Sequence, residues 1–201
     1  YDRDGLLDLY VTAYFRDVDL WHLGTTRIMH DSFEFATNGG KNLLFHNVGG
    51  GRFEDVTDRL GSPVTIEKAG RGAAYFDFDN DGDIDIFVNN VHDTPDLYRL
   101  DVKAPVNWLT VRLVGVQSNR SAIGARVRLT AGGVTQVQEV RGGGSYYSQN
   151  DLRLNFGLGA ATKADRIEVR WPNGTEQAWT AVQGNQILTL KEGGDLTAAL
   201  A

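Results

Sequence analysis

Nine residues concentrate the ionisable chemistry of this chain. Asp77-Phe78-Asp79-Asn80-Asp81-Gly82-Asp83-Ile84-Asp85 places five aspartates at alternating positions, with a glycine after the third. Five like charges this close repel, so a folded chain needs a counter-charge there. A hard cation with oxygen ligands supplies one, and calcium takes six to eight such ligands. Alternation turns Asp77, Asp79 and Asp81 toward an ion at loop positions 1, 3 and 5, and Gly82 allows the sharp bend. Asp83 falls where an EF-hand loop offers a backbone carbonyl, and Asp85 closes the loop at position 9. An EF-hand also requires Glu at position 12 and a helix on each side. Position 12 here is Val88. The flanks, residues 73–76 and 86–88, are short and aromatic or β-branched and read as strands. The competing reading is a solvated acidic turn without an ion, since Asp-Gly marks hairpins. A plain turn, however, needs one aspartate rather than five at ligand spacing.

The loop recurs. Residues 1–11 align with Phe78 onward at a constant offset of 77 residues, so Asp2, Asp4 and Asp8 match Asp79, Asp81 and Asp85. The counterpart of Asp77 would precede Tyr1. The expectation is therefore a fragment, or the ordered part, of a longer protein.

Other chemistry finds little support. Ser145 follows three glycines, but Tyr147 breaks the nucleophile-elbow pattern. Gly157-Leu158-Gly159 lacks the third glycine of a dinucleotide loop. No phosphate-binding loop and no H-E-x-x-H occurs. The histidines lie apart, at His22, His30, His46 and His92. Those at 22 and 30 read as surface residues of a long loop over 14–41, because no ligand spacing repeats there. No catalytic or cofactor-binding residue is assigned, and the chain is not expected to be an enzyme. Trp21 and Tyr146-Tyr147 are the aromatic candidates for glycan contact. The sequons at Asn119 and Asn173 read as turns.

Short strands with glycine turns must position the loops. The chain has 201 residues, 24 of them glycine, and 41% hydrophobic residues, enough for a core in an all-β protein of one or two domains. In the first half, strands are expected over 6–13, 42–47, 52–57, 72–76 and 86–88, with 95–99 echoing 42–46. In the second half they are expected over 108–114, 125–129, 134–140, 151–156 (ended by Gly157 and Gly159), 166–171, 176–179 and 186–190. Asn173-Gly174 is a strong hairpin signal. This half reads as a sandwich or small barrel. No apolar run is long enough to span a membrane, and the absence of cysteine excludes disulfides and thiolate metal sites. Residues 1–106 carry 19 acidic against 10 basic side chains, and residues 107–201 carry 7 against 10. The acidity thus sits with the aspartate loops. The arginines of the second half alternate along strands rather than cluster, which argues against nucleic-acid binding.

The D-x-D-x-D-G-x-x-D loop between strands, with downstream Asn42-Leu43-Leu44-Phe45-His46-Asn47 and Gly50-Gly51-Arg52-Phe53-Glu54-Asp55-Val56-Thr57, resembles the FG-GAP or VCBS repeat. Such repeats form calcium-binding blades of β-propellers. The resemblance implies one ion held by Asp77, Asp79, Asp81, Asp83 (through its carbonyl) and Asp85. It implies a second held by Asp2, Asp4, Leu6 (through its carbonyl) and Asp8. Asn107-Trp108-Leu109, residues 118–127, Gly142-Gly143-Gly144, Phe156-Gly157-Leu158-Gly159 and residues 167–174 look like the ASPIC/UnbV domain, which follows FG-GAP repeats in the cartilage acidic protein family. The expected organisation is truncated propeller blades over 1–104, an ASPIC/UnbV β domain over 105–192 and a frayed tail over 193–201. The resemblance implies a location outside the cytoplasm, whether secreted, cell-surface or periplasmic. The expected function is a calcium-binding interaction or scaffold module for a protein or glycan partner. The alternatives are an accessory subunit of a larger membrane or extracellular assembly, or the non-catalytic part of a secreted polysaccharide-directed enzyme.

Overall fold

The computed structural model describes residues 2–13, 39–61, 64–91 and 93–198. Among these residues it is all-β apart from one turn of 3-10 helix at Thr57–Leu60, and none of the sheets closes into a barrel. The expected strand-rich architecture holds. The long loop over 14–41 falls mostly outside the described residues.

Two three-stranded sheets make up the first half. One contains β1 (Leu9–Val11), β2 (Leu43–Asn47) and β3 (Phe53–Asp55), paired antiparallel in that order. The other contains β4 (Gly70–Phe76), β5 (Asp85–Asn90) and β6 (Asp96–Tyr98), with β5 in the middle. The sequence repeat is a structural one. Arg3 and Asn80, equivalent at the 77-residue offset, have φ of 61° and 62°, and Gly5 and Gly82 have φ of 90° and 88°. Leu9 lies opposite Phe45 in the first sheet, as Ile86 lies opposite Tyr98 in the second. This register makes His46 the counterpart of Arg99.

The second half packs two four-stranded sheets face to face. One runs β10 (Leu154–Gly159), β7 (Asn107–Val114), β13 (Ile187–Lys191), β14 (Leu196–Ala198). The other runs β12 (Glu176–Gln183), β11 (Lys163–Arg170), β8 (Arg126–Ala131), β9 (Val134–Glu139). All pairs are antiparallel except β7 with β13. Alternate residues of each strand point inward. Leu109, Val111, Phe156, Leu188 and Leu190 from one sheet meet Val127, Leu129, Ile167 and Val169 from the other in a single core closed by Trp171. Of the two readings for this half, the structure is the sandwich.

Three expectations about elements are corrected. The strand over 52–57 ends at Asp55, because Asp55 Oδ1 accepts hydrogen bonds from the Thr57 N–H and hydroxyl and turns the chain into the 3-10 helix. Gly157 and Gly159 do not end a strand but belong to β10, with a bulge between them. A Cβ on Gly157 would lie 2.4 Å from the Arg3 carbonyl oxygen, so this glycine lets the first aspartate loop approach the strand. The tail is not all frayed, since β14 pairs with β13.

Candidate metal centre

The second loop leaves the end of β4 and returns into β5. Ligand atoms of Asp77, Asp79 and Asp85 lie within 4.8 Å of one another. Two full charges at that distance repel by about 1 kcal/mol in bulk water and by roughly 3–4 kcal/mol at the lower effective dielectric of a protein surface. Backbone donors offset part of this. Gly82 N–H donates to Asp77 Oδ2 (3.1 Å), Phe78 N–H to Asp85 Oδ2 (2.8 Å) and Leu100 N–H to Asp85 Oδ1 (2.9 Å). Asp77 is only 2% exposed, and its Oδ1 is buried without a hydrogen-bond partner. A buried carboxylate oxygen without a donor is costly, and a cation at the cluster would satisfy it. Burial pushes the Asp77 carboxyl above the ordinary aspartate value, against the Gly82 N–H and the charge of Arg153.

Asp83 sits differently. Its Oδ1 pairs with Arg3 Nη2 at 2.7 Å, and its Oδ2 accepts from Val102 N–H at 2.7 Å. Both of its side-chain oxygens are thus committed outside the acidic group. Burial raises its pKa, opposed by the Val102 N–H and by Arg3. Asp81 lies outside the close group. Its Oδ1 accepts from Asp83 N–H (2.8 Å), and its carbonyl accepts from Arg3 (3.0 Å). The donors that converge are therefore all oxygens, as a hard cation requires.

The first loop brings together Asp2, Asp4 and His46. Asp4 N–H donates to Asp2 Oδ1, and Leu6 N–H donates to Asp4 Oδ1, repeating the bond from Asp83 to Asp81. Asp8 Oδ1 accepts from Asn47 N–H (2.8 Å) and lies 3.1 Å from His46 Nδ1. The imidazole also lies 3.6 Å from Asp2 Oδ2. Its counterpart Arg99 lies 3.1 Å from Asp79 Oδ2, and Asp79 is the counterpart of Asp2. The same strand position therefore brings a basic side chain to the same loop aspartate in both units. Sequence reasoning passed over His46 because it stands 38 residues from Asp8; the repeat alignment of 42–46 with 95–99 was the signal that pairs it with Arg99.

Arg3 and Arg153 were not singled out by sequence either. Arg153 Nη2 donates to the Asp77 carbonyl (2.9 Å) and Nη1 to Asn80 Oδ1 (2.7 Å). Of the aromatic candidates, Tyr146 and Tyr147 are exposed and edge-to-face, with the Arg71 guanidinium 5.6 and 5.3 Å from their ring centroids. Trp21, His22, His30 and His92 lie outside the described residues. Both sequon asparagines hold turns, Asn119 by donating to the Ile123 carbonyl and Asn173 through its Oδ1, which accepts from the Thr175 N–H and hydroxyl, while the Asn173 amide donates to Glu192.

No helix among the described residues is long and apolar enough to cross a membrane. No curated protein matches the chain. The family model of ASPIC and UnbV matches residues 115–197. The match begins just after β7 and ends within β14, whereas the sandwich also includes β7, which pairs with both β10 and β13. Residues 115–197, with the sandwich strands β8 to β14, are accordingly similar to the ASPIC and UnbV family.

Proposed function

We propose that this chain is a calcium-binding interaction or scaffold module working outside the cytoplasm, with FG-GAP-type propeller blades followed by an ASPIC/UnbV-type sandwich. The observation that carries the reading is the buried, unpartnered Asp77 Oδ1 within the group formed with Asp79 and Asp85. Asp77, Asp79, Asp81, Asp85 and the Asp83 carbonyl would hold one ion. Asp2, Asp4, Asp8 and the Leu6 carbonyl would hold another, with His46 beside them. The ion supplies positive charge and fixes the loop between strands; the chain's own part is to present rigid surfaces to a protein or glycan. The exposed tyrosine pair at 146 and 147 suits a glycan or a peptide.

The assembly reading has its own support. The face of the second sheet with Ile86, Val88 and Tyr98 packs on the face of the first with Tyr10, Thr12 and Leu44, around a cavity of about 250 Å³. The equivalent face of the first sheet holds Leu9, Val11 and Phe53, all exposed. By the same front-to-back stacking, that face suits a further sheet of this kind, from the same protein or a neighbouring subunit.

The test is calorimetric titration with calcium plus thermal melts, on this chain and on the Asp79→Ala, Asp81→Ala double variant. Ligand that binds only the native state stabilises it by about 2.7 kcal/mol at a hundredfold excess over Kd. A melt that rises with calcium in the parent and not in the variant is the expected result. Absence of binding heat in the parent overturns the calcium reading.

A further inference from the structure

The aspartate loops do more than connect strands: they carry polar contacts between the two halves, from Arg153 to Asp77 and Asn80 and from Gly159 to Arg3. Arg153 immediately precedes β10 of the sandwich. Its guanidinium binds the Asp77 carbonyl and Asn80 Oδ1, while Asp151 holds it through Nε. Beside it, Asp151 N–H donates to the Tyr75 carbonyl (3.2 Å), and Tyr75 N–H donates to Asn150 Oδ1 (3.2 Å). These bonds join the sandwich to the strand that leads into the loop. On the loop's other side Gly82 lies against the indole of Trp108 in β7, where an added Cβ would come within 2.1 Å of the ring.

The connecting segment is tied to the same loop. Arg99 pairs with Asp79, Leu100 N–H donates to Asp85 and Val102 N–H donates to Asp83. The first loop completes the junction. Arg3 reaches Asp81 and Asp83, and its own carbonyl accepts from Gly159 N–H in β10 (3.2 Å). Asp77, Asp79, Asp83 and Asp85 therefore each face two ways, toward the centre of the acidic group or their loop neighbours and toward Arg153, Arg3 or the connecting segment 99–102. At Asp77 the inward direction ends on the unpartnered buried Oδ1.

From this geometry we infer that the second aspartate loop is a cation-dependent clasp between the two halves, and that Arg153 is the positioning residue through which the sandwich senses whether the loop is neutralised. The inference rests on the calcium reading above and adds a consequence to it. With its charges neutralised, the loop keeps the backbone shape that presents the Asp77 carbonyl and Asn80 to Arg153 and a flat glycine to Trp108. With its charges unbalanced, mutual repulsion opens the loop, and these partners and the segment 99–102 release together.

Hydrogen exchange on the whole chain, with calcium and with a chelator, tests this. Segment 77–85 reports occupancy of the loop, and segments 99–106, 107–114 and 151–159 report the clasp. The expected result is that calcium slows exchange about tenfold in the loop and in all three reporting segments. In Arg153→Gln the loop should keep its calcium response while segment 151–159 loses most of its own. Arg153→Lys, which keeps the charge but not the two-pronged geometry, should fall between. Calcium protection confined to 77–85 in the parent overturns the clasp and leaves the calcium reading standing. Absence of any response at 77–85, with no binding heat, overturns both. The parent alone gives these outcomes, so the inference is testable even if the Arg153 variants fold poorly.

Discussion

The proposed ion site turns on one oxygen atom of Asp77. A solvated acidic turn leaves its carboxylates to water, whereas Asp77 is buried with one oxygen that lacks a hydrogen-bond partner, beside Asp79 and Asp85. Asp77→Asn should therefore act in opposite directions on the two states. It should weaken calcium binding at least tenfold, about 1.4 kcal/mol, as read by calorimetry. In chelator it should stabilise the protein by about 1 kcal/mol by removing a buried charge, as read by denaturant melts. Loss of stability in chelator would show that the carboxylate is satisfied without an ion.

Glu192 is the residue-scale counterpart in the sandwich. One carboxylate oxygen accepts from the N–H groups of Val116, Gln117 and Ser118 at 2.7–2.8 Å, and the other accepts from the Ser118 hydroxyl and the Asn173 amide. Burial pushes its pKa up, but the donors from Ser118, Val116 and Gln117 outweigh it and the net shift is downward. A depressed carboxylate contributes stability that is present above the unfolded-state pKa and lost as pH falls through the folded-state value. Glu192→Gln should thus melt below the parent at neutral pH, and the gap should close as pH drops below about 4. A gap that is independent of pH would assign the effect to packing instead.

At the scale of elements, glycines with the same backbone have different work to do. Gly82 and Gly133 have φ of 88° and 82°. Gly133, in the β8–β9 turn, has nothing within 4 Å of an added Cβ, while Gly82 has the Trp108 ring. Gly133→Ala should cost about 1 kcal/mol from the left-handed backbone alone. Gly82→Ala should cost roughly 2–4 kcal/mol, because overpacking adds to the same strain. Equal costs in denaturant melts would mean that the loop moves freely off the indole. Strand positions in the sandwich were legible because alternation survives one-sided burial, as in Arg126–Ala131 and in residues 166–170 of β11. The extent of β10 was not legible, since Gly157 looks like a strand breaker until the Arg3 carbonyl is seen against it.

Across the whole molecule the two halves have unequal means of staying folded. The sandwich has a continuous apolar core, whereas the first half has small sheets, an acidic excess and an exposed apolar face. Differential scanning calorimetry should therefore resolve two transitions in chelator, the lower belonging to the first half. Calcium should raise the lower one preferentially until the two merge. A single transition unaffected by chelator would mean that the apolar contacts alone bind the halves together.

The aspartate spacing, the 77-residue repeat, the all-β class and the two-part organisation follow from local pattern. Like charges at ligand spacing and period-two alternation are properties of neighbouring residues. Tertiary structure decided which of these side chains converge and what surrounds them. Asp81 stands outside the close group, Asp83 turns its carboxylate to Arg3, His46 joins Asp2 and Asp4, and Arg153 grips the loop from 76 residues away. These pairings depend on strand register and on how one sheet lies against another. Both are set by burial of whole faces at once, and no local stretch of sequence encodes them.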